Sequence, residues 1–188
     1  MVHTIKLNLK NGYYDIYKGN NFAVESDVNH LVYQEDGVWY VVGDPDGGKT
    51  GNSYIMIPFD ANIRKFFVHG KDVAIKCDNV KADTVYIDIK DGVGEFCDIK
   101  CGKAGIAMGK GEIRAKITEL ESLNIDCGYG TLNVDLPDDK YDITSNCGMG
   151  EVVVDSKKLP RQYARKNNGK TVNIICGMGS VKINTNLR

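Results

Sequence analysis

Hydrophobic and polar residues alternate one by one along much of this chain, which is the pattern of a strand with one buried face. Leu123, Ile125 and Cys127 alternate with polar residues, and Leu132 and Val134 do the same after a short break that contains glycine. The alternating segments are too short and too regular in their two-residue period for amphipathic helices. The pattern therefore predicts an all-β protein.

The second half of the chain contains an internal repeat of the form apolar-x-Ile-x-Cys. Copies begin at Val73, Cys97, Leu123 and Val172, with a weaker copy at Ile143. A unit of about 20 residues without a helix cannot bury its apolar face alone, whereas stacked units can. The repeat therefore predicts a parallel β-helix, or solenoid, in which each unit is a strand, a corner and a second strand.

The last three copies continue as Cys-Gly-x-Gly-x-apolar-x-apolar, and the buried parity changes across each glycine pair. Glycine provides the crowded or left-handed backbone that such a corner needs. The predicted corner glycines are Gly128, Gly130, Gly148, Gly150, Gly177 and Gly179.

Five of the six cysteines occupy one position of the repeat, so we expect them to form a structural column inside the solenoid. Cysteine is a small, apolar and readily buried residue, which favours this interpretation. Strand spacing would also permit disulfides or a soft metal ion, but the close CxxC pairs typical of zinc sites are absent. We predict no metal site, no cofactor and no catalytic residue. The predicted column consists of Cys77, Cys101, Cys127, Cys147 and Cys176.

The first 70 residues also show strand patterns, but without the repeat. Asn11-Gly12 and Asp36-Gly37 are typical of hairpin turns, and Pro58 ends a strand. We expect residues 1–70 to form an irregular or sandwich-like β region that caps the solenoid, and residues 71–188 to form the solenoid itself.

The composition is that of an ordinary globular protein of 188 residues, with 42% hydrophobic and 26% charged residues. The formal net charge of −1 gives no overall attraction to nucleic acid or to an anionic membrane. No membrane span and no export signal is expected, which favours reduced cysteines and leaves the location open. No specific nucleic acid partner is predicted.

One segment matches a phosphate-binding motif. The residues from Gly43 to Thr50 fit G-x-x-x-x-G-K-[ST] after a strand. The mechanism of that motif needs a helix to begin at Lys49, but a strand-like segment follows instead. A nucleotide-binding enzyme is therefore only a remote alternative.

A basic insertion separates the last two repeats. It spans residues 156–171 and contains no acid. Such a segment of positive charge without acidic residues is typical either of a solvated loop or of contact with an anionic polymer or glycan. Its cations are Lys157, Lys158, Arg161, Arg165, Lys166 and Lys170.

Several segments resemble a known family in their order along the chain. Gly19 to Val24, Glu35 to Trp39, Tyr54 to Pro58 and Ile63 to Gly70 precede the Cys-Gly-x-Gly units, as in the bacterial "putative adhesin" family of unknown function. The resemblance implies a right-handed single-stranded β-helix, no established catalysis and an adhesin-like role at the cell surface. The chain also distantly resembles the bactofilins, which are β-helical proteins that polymerise end to end.

Taken together, these features favour a non-enzymatic solenoid scaffold that presents a surface for binding or self-assembly. After Ile183 the chain has too few residues for a capping helix. We therefore expect an open C-terminal rung that pairs with another copy, giving a homo-oligomer. The alternative is a module that binds a polyanion or glycan through the basic insertion.

Overall fold

The computed structural model describes residues 1–43, 48–167 and 169–185. All regular structure in these residues is β, which confirms the predicted fold class. No helix in the described residues is long and apolar enough to cross a bilayer. The strands are β1 (Thr4–Gly19), β2 (Ala23–Ser26), β3 (His30–Glu35), β4 (Val38–Gly43), β5 (Gly51–Pro58), β6 (Ile63–Asp78), β7 (Ala82–Lys100), β8 (Lys103–Glu119), β9 (Ser122–Cys127), β10 (Thr131–Asp135), β11 (Tyr141–Cys147), β12 (Glu151–Val154), β13 (Lys157–Lys158), β14 (Gln162–Arg165), β15 (Lys170–Cys176) and β16 (Ser180–Asn184).

The strands form two ladders, which we call face 1 and face 2. The first halves of the long strands β1, β6, β7 and β8 belong to face 1 and their second halves to face 2. Face 1 runs β3-β4-β1-β6-β7-β8-β9-β15-β11-β14. Face 2 runs β2-β5-β1-β6-β7-β8-β10-β16-β12-β13. The outermost strand of each ladder end pairs antiparallel with its neighbour, and all other strand pairs are parallel, as a solenoid requires.

The core lies between the two faces and is filled by the inward residues of each strand. On face 1, Leu7, Val68 and Ile87 stack in one column and are at most 2% exposed. On face 2, Leu132 and Val181 stack in another and are fully buried. This alternation is the one visible in the sequence, and burial of each such side chain contributes about 1.5–3 kcal/mol.

The stacking order of the rungs departs from the chain order at both ends. β1 lies between β6 on one side and β4 and β5 on the other. Likewise β15 and β16 lie between β9 and β10 on one side and β11 and β12 on the other. Asp155 fastens this inserted rung, because its carboxylate accepts hydrogen bonds from the backbone N–H and the hydroxyl of Thr185, both at 2.8 Å.

The expectation of an open C-terminal rung is therefore wrong. Both edges of β15 and both edges of β16 are paired within the chain. An internal rung needs no cap of its own. That rung therefore has no unpaired strand edge through which two copies could associate.

The true ends of the solenoid are covered by short antiparallel strands. β3 and β2 lie on β4 and β5 at one end, and β14 and β13 lie on β11 and β12 at the other. The predicted division after residue 70 stays a prediction. It falls inside β6, and β1 stacks on β6 in the same parallel register as the later strands.

Candidate binding surface

A row of aromatic side chains runs across the outer surface of face 1. We call Tyr33, Tyr40, Phe67 and Tyr86 the aromatic row; Lys6 lies between Tyr40 and Phe67 in the same register. Tyr40, Phe67 and Tyr86 alternate with buried residues and so point away from the core, and Tyr33 pairs with Tyr40 from the exposed strand β3. Tyr33 and Tyr86 are 40% and 43% exposed, which makes the row an accessible apolar surface.

The rings of the aromatic row contact one another. Tyr33 and Tyr40 are stacked, with centroids 4.6 Å apart, and the centroids of Phe67 and Tyr86 are 6.3 Å apart. The Lys6 ammonium lies 5.3 Å from the centre of the Tyr40 ring, within the range of a cation–π contact. Such contacts hold the side chains in fixed positions on a rigid sheet.

Tyr86 ends the aromatic row because the next position is a glycine. A Cβ on Gly105 would lie 2.5 Å from a Tyr86 ring atom, so the absence of a side chain lets the ring lie over the neighbouring rung. Beyond Gly105 the same register continues with polar residues: Asn173 donates to Asn124 at 3.0 Å and Thr144 donates to Asn173 at 2.6 Å. Face 1 is thus aromatic in one half and amide-rich in the other.

Polar groups flank the aromatic row. Asn8, His69 and Asp88 occupy the neighbouring outward register on the rungs of Lys6, Phe67 and Tyr86. The His69 Nδ1 atom lies 3.0 Å from the Asp88 carboxylate, and the side chain of His69 is 44% exposed. The surface therefore combines aromatic rings with hydrogen-bonding groups. Sequence analysis missed it, because its members come from five strands and only the register brings them together.

The basic insertion forms the antiparallel cover at one end of the solenoid. Lys157 and Lys158 form β13, Arg165 ends β14, and the exposed Arg161 and Lys166 flank β14. Its strands β13 and β14 therefore belong to the sheet.

Two of its cations are already paired. Lys158 Nζ lies 3.2 Å from the Glu151 carboxylate, and Lys170 Nζ lies 3.2 Å from that of Asp138. Burial opposes ionisation of Asp138, but hydrogen bonds from the Lys140 amide and from Lys170 outweigh it and lower the pKa of this carboxyl. The buried Nε and Nη2 atoms of Arg165 have no hydrogen-bond partner among the described residues.

The cysteine column contains three of the five predicted members. Cys127, Cys176 and Cys147 are direct neighbours in adjacent strands of face 1, in that order. Cys77 lies instead on face 2, where it neighbours Ile16 and Phe96.

Cys101 follows the end of β7, where its amide donates to the Glu119 carbonyl at 3.0 Å. The prediction of a single five-member column was wrong because an apolar-x-Ile-x-Cys strand satisfies either face equally well. Alternation fixes which side chains point inward, but it does not fix the face on which the strand lies.

The Cys-Gly-x-Gly sequence closes its own corner. The thiol of Cys127 donates to the carbonyl of Gly130 at 3.2 Å, and that of Cys176 donates to Gly179 at 3.3 Å. A Cβ on Gly179 would lie 2.3 Å from the Gly130 carbonyl oxygen, so these backbones can stack only without side chains. Two columns of corner glycines result: Gly128, Gly177 and Gly148 in one, and Gly130, Gly179 and Gly150 in the other.

The buried thiols are held in the neutral form. Burial raises the pKa of Cys101 and of Cys176 to about 12, with the neighbouring cysteines adding to the effect at Cys176. Burial also raises the pKa of Cys77 and Cys127. All six cysteines are free, and in the described part of the chain no three His, Cys, Asp or Glu side chains are arranged to hold a metal ion.

The phosphate-binding motif lies partly outside the described residues, at positions 44–47. Gly43 ends β4, and Gly48 to Thr50 lead directly into β5. A strand therefore follows Lys49 where the phosphate-binding mechanism needs a helix N-terminus.

Comparison with known proteins places these features in a family. The family model described as Toastrack DUF4097 matches residues 48–184, which is well over half of the chain. A crystal structure of a "putative cell adhesion protein" from Clostridium sporogenes is similar with 15% identity and a TM-score of 0.49, over 98% of this chain and 94% of the other. No curated protein matched the sequence.

Proposed function

The chain belongs to the Toastrack DUF4097 family, and from this premise we propose that it is a non-enzymatic solenoid scaffold with an adhesin-like role, which binds a glycan surface through face 1. The aromatic row is the observation that carries the proposal. Exposed, contiguous aromatic side chains are uncommon on a protein surface unless they bind something. Here they stand on hydrogen-bonded strands of one continuous sheet, so little conformational entropy is lost on binding.

The chemistry of a polysaccharide fits this surface. A sugar ring has apolar C–H faces that pack on aromatic rings, and hydroxyl groups that need hydrogen-bond partners. Lys6, Asn8, His69 and Asp88 supply donors and acceptors beside the rings. A regular polymer would meet these groups at the regular strand spacing of about 4.8 Å.

The proposal is tested by binding of the full chain to insoluble chitin, cellulose and peptidoglycan, measured by depletion from solution. Tyr33→Ala combined with Tyr86→Ala should weaken binding about 10-fold to 100-fold, because each aromatic contact contributes about 0.5–1.5 kcal/mol. The control is Tyr13→Ala with Tyr54→Ala, two tyrosines of face 2 that are 37% and 41% exposed. Equal loss in both variants, or no binding by the unaltered chain, would contradict the proposal.

A second candidate function is binding of an anionic polymer through the basic insertion. The buried, unpartnered nitrogens of Arg165 favour it, because an anion could supply the missing acceptors. Lys157, Arg161 and Lys166 are exposed around it.

This candidate is tested with heparin and with long-chain polyphosphate at several salt concentrations. Neutralising all six cations to Gln should abolish binding and its salt dependence. Lys65→Gln with Lys103→Gln is the control, since both lysines are exposed in the middle of face 1. Unchanged affinity in the six-fold variant would contradict a role for the insertion.

A further inference from the structure

The two ends of the solenoid carry opposite charges. We call residues 23–36, which contain β2 and β3, the acidic cap. It has four acids and no Lys or Arg, namely Glu25, Asp27, Glu35 and Asp36, all of them exposed. The basic insertion at the other end has six cations and no acid. A chain of net charge −1 is thus strongly polarised along its long axis.

Both ends also present unpaired strand edges. Among the described residues, β3 and β2 each pair with one strand only, and so do β14 and β13. The edge of β3 is the more open, because Leu31, Val32 and Tyr33 are 51%, 42% and 40% exposed. An exposed apolar edge of this kind is a template for another strand.

Strand direction allows both faces to continue at once. β3 is antiparallel to β4, and β14 is antiparallel to β11, while β4 and β11 run in the same direction. β3 and β14 therefore point the same way, and the same reasoning holds for β2 and β13 on face 2. If a second copy is shifted along the axis, its β3 and β2 meet β14 and β13 as parallel neighbours.

The register then brings opposite charges together on face 2. A single line of neighbours connects Glu25 to Lys158 through β5, β1, β6, β7, β8, β10, β16 and β12. A copy placed in continuation of the ladder would therefore set its Glu25 beside Lys158 of the first copy.

The same holds on face 1. There a line of neighbours connects Gln34 to Arg165, and the next residues along the two strands are Glu35 and Lys166. Gln34 is exposed, and its carbonyl oxygen is an acceptor of the kind that the unpartnered Arg165 nitrogens lack.

We propose that the partner of the basic insertion is the acidic cap of a second copy, so that the chain associates head to tail along the solenoid axis. The inference builds on the scaffold role proposed above and names the partner at its ends. Contacts between two acidic caps or between two basic insertions would bring like charges together, so the charge pattern selects the head-to-tail arrangement. A heterologous contact that does not close on itself gives an open filament.

Sedimentation velocity of the full chain over a wide concentration range, at low and high salt and without any glycan, tests the inference. We expect concentration-dependent species larger than the monomer at low salt that dissociate at high salt, because exposed ion pairs are screened. Lys157→Glu with Lys158→Glu and Lys166→Glu should lower the association constant at least 10-fold. Glu25→Lys with Glu35→Lys should do the same.

Mixing these two variants is the decisive step. The lysine variant keeps the acidic cap, but its insertion then has three acids and three cations; the glutamate variant keeps the basic insertion, but its cap then has two acids and two lysines. Each variant alone should therefore stay monomeric, while the mixture should form a dimer through the two unaltered ends. Lys65→Glu with Lys103→Glu is the matched control and should associate like the unaltered chain. Circular dichroism melting verifies that each variant is folded.

Some results would overturn the inference. These are a monomer at every concentration, association that persists unchanged in both cap variants, and a mixture that stays monomeric. Binding of heparin or polyphosphate without self-association would assign the basic insertion to a polyanion instead. Glycan binding through the aromatic row is read in a separate assay, so its failure can be distinguished from failure of the assembly.

Discussion

At one end of the solenoid, β1 lies between β6 and an outer coil formed by β4 and β5. At the other end, an outer coil is formed by β11 and β12, and the rung of β15 and β16 separates it from β9 and β10. In both cases the outer coil carries antiparallel cover strands. The two ends thus share a topology, although one is acidic and aromatic and the other basic and rich in Cys-Gly-x-Gly corners.

The difference between the ends shows which features the topology needs. Close backbone stacking at the corners is common to both, since a Cβ on Gly12 would lie 2.6 Å from the Gly51 carbonyl and one on Gly179 would lie 2.3 Å from that of Gly130. The cysteine column occurs at one end only, and the two ends differ in the sign of their charge. Stacking requires glycine, whereas the surface chemistry of each end is free to vary.

Removing an inserted rung should break either end in the same way. Deletion of residues 169–188 would leave the coil of β11 and β12 with no rung to stack on, and five buried side chains of β15 and β16 would be lost. The expected loss of unfolding free energy is at least about 5 kcal/mol. Hydrogen exchange should show residues 141–167 unprotected as well.

The matching deletion at the other end removes residues 1–19 and should expose β4 and β5. The inserted order is contradicted if either outer coil stays protected from hydrogen exchange after the rung next to it has been deleted.

Corner glycines are the next most sensitive positions. Gly179→Ala should lower the unfolding free energy by more than about 3 kcal/mol, because its Cβ meets backbone and the Cys127 sulfur 2.8 Å away. Gly102→Ala is the control, since its Cβ would contact the Asp83 carbonyl oxygen at 3.4 Å. Urea unfolding measures both. Equal effects would show that close stacking is not what the corners require.

Alkaline pH should destabilise the fold through two buried thiols, that of Cys176 in the cysteine column and that of Cys101 after β7. The folded-state pKa of Cys176 and of Cys101 is raised to about 12 from the ordinary 9.0. Their stabilising effect is therefore complete below pH 9.0 and is lost as the pH rises from 9.0 towards 12.

We expect each of the two thiols to account for a loss of up to about 2 kcal/mol of unfolding free energy between pH 8 and pH 10.5, read from urea unfolding at each pH. Cys101→Ala with Cys176→Ala should be less stable at pH 7 and should flatten this dependence. An unchanged slope in that variant would assign the alkaline loss to other groups.

The smallest effect is expected at the exposed position of each Cys-Gly-x-Gly corner. Met149 and Tyr129 are 74% and 70% exposed, so Met149→Ser should change the unfolding free energy by less than about 0.5 kcal/mol. Thermal melting at pH 7 measures it. A loss above 1 kcal/mol, on the order of a buried contact, would show that these exposed side chains contribute to the stability of this end of the solenoid.

The alternating pattern by itself determined the all-β class, and together with the Cys-Gly-x-Gly repeat it predicted a parallel solenoid with glycine corners. These features are local, because a two-residue period and a crowded corner are encoded within one unit. The basic insertion was likewise visible as a charge run.

Only the tertiary structure decided the order of the rungs, the split of the cysteines between faces and the assembly of the aromatic row. Rungs with an apolar inner face and a complete set of backbone donors and acceptors fit on one another in many orders, so sequence similarity between units cannot specify neighbours. Tyr33 and Tyr86 lie far apart in the chain, and a continuous line of strand pairing places them on one surface. The physical reason is that alternation fixes the direction of a side chain, while its neighbours follow from which strand edges are left to pair.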